Sequence, residues 1–334
     1  REEEMRIAVD GMGGDYAPKV IVEGAVMAAS EYGHEVIIVG DNPRIDAELS
    51  RMDSVPSTVS VVHASEFIDM HEPGAVSART KKDSSICVAT ELVKKGKADV
   101  AVSAGNTAAF VSAAMLSLRR LPGVERPGIA IPLPSIKGPV VLIDAGATIN
   151  PEPEHLLGFA VMGGVYARHI LRMENPSIGL LNIGEESSKG PDYLKQAHQL
   201  LESSNLNFKG NAEGKDVFAG HFDVVVCDGY TGNVVLKVSE SIATTISSFI
   251  KNQIKKDPLR MLGGLLTKSA FEAVKKQIDY AEYGGAPLLG VNGICIIGHG
   301  RSSAKAVKNA IRVAGEFVEH KVNDHILEAV KTFK

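Results

Sequence analysis

Short runs of β-branched and aliphatic residues alternate with longer helix-patterned stretches along almost all of this 334-residue chain. Residues 7–9, 36–39, 59–62, 100–102, 140–143, 178–181, 224–226 and 294–297 read as strands. Between them, residues 20–30, 44–52, 84–95, 107–118, 154–170 and 193–201 carry the apolar spacing of helices. Strands that are apolar at every position are buried on both faces, which requires helices on either side of the sheet. The alternation therefore predicts a three-layer α/β/α fold around a mainly parallel sheet. No linker, internal repeat or low-complexity stretch interrupts it, so residues 5–330 are expected to form a single α/β domain. Residues 1–4, ahead of Met5, read as an N-terminal extension.

One region breaks the rhythm. Residues 231–253 form a long amphipathic pattern with Val234, Val235, Val238, Ile242, Ile246, Phe249 and Ile250 on one face. Pro258 is expected to stop this helix, and a second helix is expected over 268–278. The region 231–280 is thus predicted to be a helical protrusion whose apolar stripe serves dimer contact or core packing. The intervening stretch 259–266 is apolar and flanked by Lys251, Lys255, Lys256 and Lys268, which suits an anionic membrane surface, an acidic partner protein or a buried turn.

Composition removes several function classes. The net charge of −4 implies no broad electropositive surface for nucleic acid. Cys87, Cys227 and Cys295 are widely spaced, which excludes a disulfide scaffold and a thiolate zinc site and suits a reducing cytoplasm. No run approaches the ~18 consecutive apolar residues of a membrane span. G-x-G-x-x-G, H-E-x-x-H and G-x-S-x-G are all absent, so neither a dinucleotide, a zinc protease nor a serine hydrolase is indicated. Residues 210–216 resemble a P-loop only superficially.

What the chain does have is glycine, 33 in all, placed where strands end. Asp10-Gly11-Met12-Gly13-Gly14-Asp15, Ser103-Ala104-Gly105-Asn106-Thr107 and Asp144-Ala145-Gly146 each follow a strand run. So do Asn182-Ile183-Gly184, Gly210-Asn211, Asp228-Gly229-Tyr230-Thr231-Gly232-Asn233 and Gly298-His299-Gly300-Arg301-Ser302. In a parallel sheet the carboxyl ends of the strands share one edge, where ligands bind. Seven such loops are therefore expected to converge on one rim. Several open directly into helices, and glycine-rich backbone at a helix N-terminus is an anion site. Arg79, Lys81 and Lys82, beside Ser84 and Ser85 at a predicted helix start, supply positive charge. Cys87 and Cys227 read as packing residues. His155 at a helix start reads as a base or as a structural residue. Asp10, Asp15, Asp144 and Asp228 suit loop orientation better than a metal. A phosphate site without a nucleotide motif suggests that phosphate is itself the substrate. Phosphate is already largely dianionic near neutral pH, so it needs positioning more than deprotonation.

The combination of Asp10-Gly11-Met12-Gly13-Gly14-Asp15, Ser103 to Thr107, Pro153-Glu154-His155-Leu156, Asp228 to Asn233, Tyr283-Gly284-Gly285-Ala286-Pro287 and His299-Gly300 resembles the bacterial PlsX family. Its members are acyl-[acyl carrier protein]:phosphate acyltransferases. The resemblance runs in order from Met5 to about Val313. It departs from the family pattern at Gly11, Ala108, Glu152 and Arg301, the last of which adds a phosphate donor.

The resemblance implies a fold similar to isocitrate and isopropylmalate dehydrogenases and to phosphotransacetylase. It also implies a homodimer, no cofactor and no metal. The implied reaction passes a long-chain acyl group from acyl carrier protein to inorganic phosphate. Acyl phosphate is then handed to a membrane glycerol-3-phosphate acyltransferase of phospholipid synthesis, from a cytoplasmic or peripheral inner-membrane location. On this expectation Lys82, Ser84, Asn106, Thr107 and the amides of Gly105 and Gly300 hold phosphate. Asn233 or backbone N–H groups stabilise the oxyanion, and His299 or water protonates the leaving thiol. Substrate contacts are also expected from Asp10, Gly13, Gly14, Asp15, Arg79, Ser85, Asp144, Gly146, His155, Asn182 and Gly184. Asp228, Gly229, Thr231, Gly232, Gly284, Gly285 and Ser302 complete the expected set. Phosphotransacetylase-like chemistry on a CoA thioester, hydroxyacid dehydrogenase chemistry on the same fold and a non-catalytic scaffold are the rival readings.

Overall fold

The computed structural model describes residues 5–278 and 284–332. The expected extension at 1–4, residues 279–280 of the expected protrusion and Tyr283 lie outside that range. The strands are β1 (Arg6–Asp10), β2 (Glu35–Gly40), β3 (Val59–His63), β4 (Val100–Ser103), β5 (Gly128–Ser135), β6 (Gly138–Ile143), β7 (Ile178–Leu181), β8 (Phe208–Ala212), β9 (Val224–Val226), β10 (Ala286–Leu289) and β11 (Ile294–Ile297). The helices that precede the protrusion are α1 (Lys19–Tyr32), α2 (Asn42–Leu49), α3 (Gly74–Thr80), α4 (Ser85–Lys94), α5 (Thr107–Ser117), α6 (Pro153–His169), α7 (Asp192–Glu202) and α8 (Gly214–Ala219). The rest are α9 (Gly229–Ile254), α10 (Pro258–Leu266), α11 (Lys268–Ile278), α12 (Ala304–Glu319) and α13 (Val322–Lys331).

The described strands form one 11-stranded sheet in the order β3-β2-β1-β4-β11-β10-β5-β6-β9-β7-β8. Successive residues of each strand enter different cores, as the unbroken apolar runs require. Ile7, Val9, Val36, Ile38, Val100 and Val102 pack on one face, while Ala8, Ile37, Val39 and Ala101 pack on the other. Helices cover both faces, so the three-layer α/β/α architecture stands.

The sheet is mostly parallel but changes direction at three successive junctions, on either side of β10 and between β5 and β6. β3, β2, β1, β4 and β11 run in one direction. β10 is antiparallel to β11 and to β5, and β5 is antiparallel to β6. β9, β7 and β8 then run parallel with β6. The second group of strands therefore points opposite to the first, and seven carboxyl ends do not share one edge. Gly210 and Asn211 also belong to β8 itself, with Asn211 paired to Leu180.

The reversal creates the site instead. β10 is only four residues long and divides its pairing, with Ala286 and Pro287 on β11 and Leu288 and Leu289 on β5. This places the end of β6 and the start of α9 across a cleft from the loops after β4 and β11.

The protrusion differs from expectation in one respect. Pro258 does not simply stop α9; it occupies the first turn of α10, where its missing N–H costs nothing. Asp257 caps that helix by accepting from the Arg260 amide at 2.8 Å. The stretch 259–266 is thus helical. Among the described residues no helix is long and apolar enough to cross a membrane.

Candidate active site

A cavity of about 1000 Å³ lies between the two strand groups. On one side it is walled by Asp15, by Gly105, Asn106 and Thr107 at the start of α5, and by the turn from Gly298 to Ser302. On the other side stand Ala145, Gly146 and one face of α9: Asn233, Leu236, Lys237, Glu240, Ser241, Thr244 and Thr245. Gly284, Gly285 and Ala286 line it from β10, and Ile129, Ile131 and Pro132 form an apolar floor on β5.

The first wall is built around Asp10, buried at the end of β1. It accepts from the Ser103 hydroxyl at 2.7 Å and from the Met12 amide at 3.2 Å, and it also bonds Ser85. Burial raises its pKa, and these donors oppose the rise. Ser103 Oγ in turn accepts from the Gly105 amide at 3.0 Å. The β1 and β4 loops are thereby held backbone to backbone. A Cβ on Gly13 would stand 2.8 Å from the Gly105 nitrogen, so only glycine permits that approach.

The side chain of Asn106 is committed to architecture. Its Oδ1 accepts from the Ala109 amide at 3.1 Å, capping α5. Its Nδ2 donates to the carbonyls of Asp69, Met70 and Glu72 at 3.4, 3.3 and 3.0 Å. No donor on the side chain remains for phosphate, which corrects the expectation that Asn106 binds it directly. What remains open at this helix start are the Thr107 and Ala108 amides, which have no intrahelical partner. Both residues are exposed to the cavity.

The basic cluster also moves out of the site. Lys81 pairs with Glu72 at 2.7 Å. Ser84 is fully buried and donates to the Lys81 carbonyl at 2.7 Å, while Ser85 is buried against Asp10. Arg79 and Lys82 are exposed but do not line the cavity. Ser84 and Ser85 are thus buried structural donors in place of phosphate ligands.

In the turn after β11, His299 Nδ1 accepts from the Arg301 amide at 3.1 Å. That bond selects the neutral tautomer with its proton on Nε2. Nε2 lies 3.8 Å from Glu240 Oε2 on α9. Arg301 reaches Asp15 at 3.7 Å, and the Gly300 carbonyl accepts from the Asp15 amide at 2.8 Å. Glycine at 14 has φ +107°, a value that side-chain-bearing residues rarely adopt. Ser302 is buried in the same turn.

The opposite wall has its own buried carboxylate. Asp144 accepts from the amides of Ile129, Gly146, Ala147 and Thr148 at 2.6–3.0 Å. Burial raises its pKa and the four amides oppose that rise. Gly229 and Gly232 of α9 press against it; a Cβ on Gly232 would stand 1.9 Å from the Asp144 carbonyl oxygen. Asp228 caps α9 by accepting from the Thr231 amide at 2.8 Å and its hydroxyl at 2.7 Å. Asp144, Asp228, Gly229, Thr231 and Gly232 thus hold the frame, while Gly146 and Asn233 reach the cavity side by side.

The remaining expected residues stay away from it. Asn182 bonds within its own loop, to the Lys189 carbonyl and the Ile183 amide, and Gly184 packs on Lys189. Both follow β7, on the far side of the reversal. His155 forms a reciprocal cap with Glu152 at the start of α6 and lies 3.3 Å from Glu125, which gives it the structural role. All three cysteines are buried, and burial raises each thiol, that of Cys295 to about 12, so none is a poised nucleophile. No group of three or more metal-ligating side chains occurs among the described residues.

Lys237, Glu240, Ser241, Thr244 and Thr245 lie on the polar face of α9, outside the apolar stripe by which the helix is legible in sequence. Asn233, Lys237, Glu240 and Thr244 repeat at steps of four, three and four residues, which places them on one helix face, with Ser241 four residues after Lys237.

Residues 5–325 match the model of the family described as fatty acid synthesis protein. Curated relatives called phosphate acyltransferase include one from Geotalea daltonii, 48% identical over 98% of this chain and 94% of the relative. Another, from Aquifex aeolicus, is 49% identical over 98% of this chain and 97% of the relative. The chain belongs to this fatty acid synthesis protein family, the PlsX family of phosphate acyltransferases. PlsX members being acyltransferases, the chain is an enzyme of that class. In fold it is similar to a phosphotransacetylase from Streptococcus pyogenes, with a TM-score of 0.66 at 18% identity and 95% of each chain covered. The EutD phosphotransacetylase from Staphylococcus aureus has a TM-score of 0.61 at 17% identity, with 94% of each covered.

Proposed function

We propose that this PlsX enzyme transfers a long-chain acyl group from the thioester of acyl carrier protein to inorganic phosphate, supplying acyl phosphate for phospholipid synthesis. The observation that carries the reading is a cavity rich in fixed donors and lacking any thiol nucleophile. Phosphate is placed at the open Thr107 and Ala108 amides of α5, facing the turn from His299 to Ser302. A phosphate oxygen attacks the thioester carbonyl, the new C–O bond forms and the C–S bond breaks. The proton that phosphate gives up equals the one that the leaving thiolate takes, so the reaction needs no net acid or base. Asn233, beside Gly146, donates to the oxyanion. His299, with its proton on Nε2, offers the departing sulfur a hydrogen bond, and the proton that the thiolate takes up is the one that phosphate gives up.

The large remaining volume, with its apolar floor of Ile129, Ile131 and Pro132, accommodates the thioester arm and the start of the acyl chain. The exposed stripe of α9 supports a homodimer, and α10 with its neighbouring lysines supports peripheral membrane contact. From there the product passes to a membrane glycerol-3-phosphate acyltransferase. The deciding experiment incubates the enzyme with phosphate and either acyl carrier protein thioester or acyl-CoA, and follows acyl phosphate by mass spectrometry. Product from the carrier thioester in preference to CoA is expected. Product from CoA alone would reassign the donor, and no product from either would overturn the reading.

A further inference from the structure

Within this cavity a dianionic phosphate needs a counter-charge that the helix start alone does not supply. Among the described residues, the lysine and arginine side chains lining it are Lys237 and Arg301. Arg301 faces Asp15 at 3.7 Å, so its charge is already partly answered. His299 contributes a neutral donor, because Nδ1 accepts from the Arg301 amide. Lys237 differs from both. It is exposed on the cavity wall, and among the described residues no carboxylate lies within ion-pair distance of it. Its position is fixed by a helix whose first turn is seated on Asp144 through Gly229 and Gly232. One turn before it stands Asn233, and one turn after it Glu240, so the three share one face of α9.

We infer that Lys237 is the phosphate-binding cation of this enzyme, reaching across the cleft to the anion held at the start of α5. Asn233, four residues earlier, then stands beside the carbonyl that the phosphate attacks. An ammonium on a flexible stem suits this task, since it follows the phosphate oxygens as the new bond forms. Glu240 is turned to His299 and keeps a negative charge off the phosphate. The inference rests on the proposed acyl transfer to phosphate, but part of its test does not depend on turnover.

Phosphorus-31 line broadening of inorganic phosphate, titrated with enzyme and no acyl donor, reads binding alone. In the parent protein, binding is expected; Lys237→Met should weaken it by roughly tenfold to a hundredfold, the weight of one charge-assisted hydrogen bond. Lys237→Arg should recover much of the loss, and thermal unfolding should stay near that of the parent because the side chain is exposed. In steady-state assays, Lys237→Met should raise the phosphate KM by a similar factor with the acyl-donor KM nearly constant. Unchanged phosphate binding in Lys237→Met would overturn the assignment. So would a raised acyl-donor KM with phosphate KM constant, which would place Lys237 on the thioester arm. Failure of the parent protein to make acyl phosphate while phosphate binding still depends on Lys237 would sink the proposed reaction and leave the anion site standing.

Discussion

A single amide side chain, Asn106, ties the α5 end of the cleft together. It caps α5 with its oxygen and gathers three carbonyls of the 69–72 loop with its nitrogen. Asn106→Ala should therefore cost about 1–2 kcal/mol of stability and worsen the phosphate KM as the helix start loosens. Thermal unfolding and phosphate kinetics measured together check this; weakened phosphate binding with stability unchanged would return Asn106 to a direct contact. The loop it holds is braced from beneath by Glu72. The Lys81 ammonium, the Asp69 amide and the Ser77 hydroxyl all bond that carboxylate and hold its pKa down, to about 2. A carboxylate depressed in the folded state stabilises above its unfolded pKa of about 4.5, and loses that contribution as pH falls towards about 2. Glu72→Gln should flatten the acid side of a melting-temperature profile across that window; an unaltered slope would show the loop contributes nothing there. At this scale the sequence named the right neighbourhood and some wrong atoms. Gly105, Thr107, Gly146, Asn233, His299 and Gly300 do line the cavity, because glycine turns and helix starts are legible locally. Ser84 and Ser85 lie outside it because burial and partner choice are tertiary facts: the same hydroxyls that suit phosphate also suit Asp10 and a carbonyl, while Lys82 is exposed away from the cavity.

Elements were legible wherever apolar period spoke without contradiction. The eight strand runs read from the sequence are all strands. Three strands are not legible in this way: Pro132, Pro134 and Pro287 sit inside β5 and β10, and proline within a run argues against a central strand, while Gly210-Asn211 makes β8 read as a loop. Yet β5 and β10 carry the reversal, and with it the cleft. Similarly, Asp257-Pro258 reads as a stop but equally begins a helix, which is how α10 was missed. The seating of α9 on Asp144 is the joint on which the second wall depends. At Gly232 a methyl group would overlap the Asp144 carbonyl oxygen, backbone that cannot step aside. Gly232→Ala should shift the helix and lower stability by about 1–3 kcal/mol, with loss of acyl transfer. Gly263→Ala makes the control, since nothing lies within 4 Å of a Cβ there and α10 gains an ordinary helix former. Equal melting temperatures for the two variants would mean that α9 is not clamped at Asp144.

For the whole molecule, the opposed strand groups leave α9 with two unlike faces, and the outer one is exposed among the described residues. Val238, Ile242, Ile246 and Phe249 are 51–65% exposed along it, a longer apolar stripe than a solvated helix keeps. On α10, Leu259, Leu265 and Leu266 are 68–79% exposed, with Lys251, Lys255, Lys256 and Lys268 close in sequence. The two surfaces ask for different occupants. On the proposed function, the apolar stripe along α9 is the surface for a second copy, whereas the leucines of α10, with lysines close in sequence, are the surface for an anionic bilayer, where apolar burial and charge act together. Ile242→Glu with Ile246→Glu should therefore convert a sedimenting dimer to monomer without weakening flotation with phosphatidylglycerol vesicles. Leu262→Asp with Leu266→Asp should do the reverse, abolishing flotation while the dimer persists. If either pair of substitutions removed both properties, the two faces would form one surface, and membrane contact would require the assembled dimer. If neither changed anything, the stripe and the leucines would both be solvated, and the exposed apolar area on this protrusion would need a third occupant, with acidic acyl carrier protein the one its lysines would select.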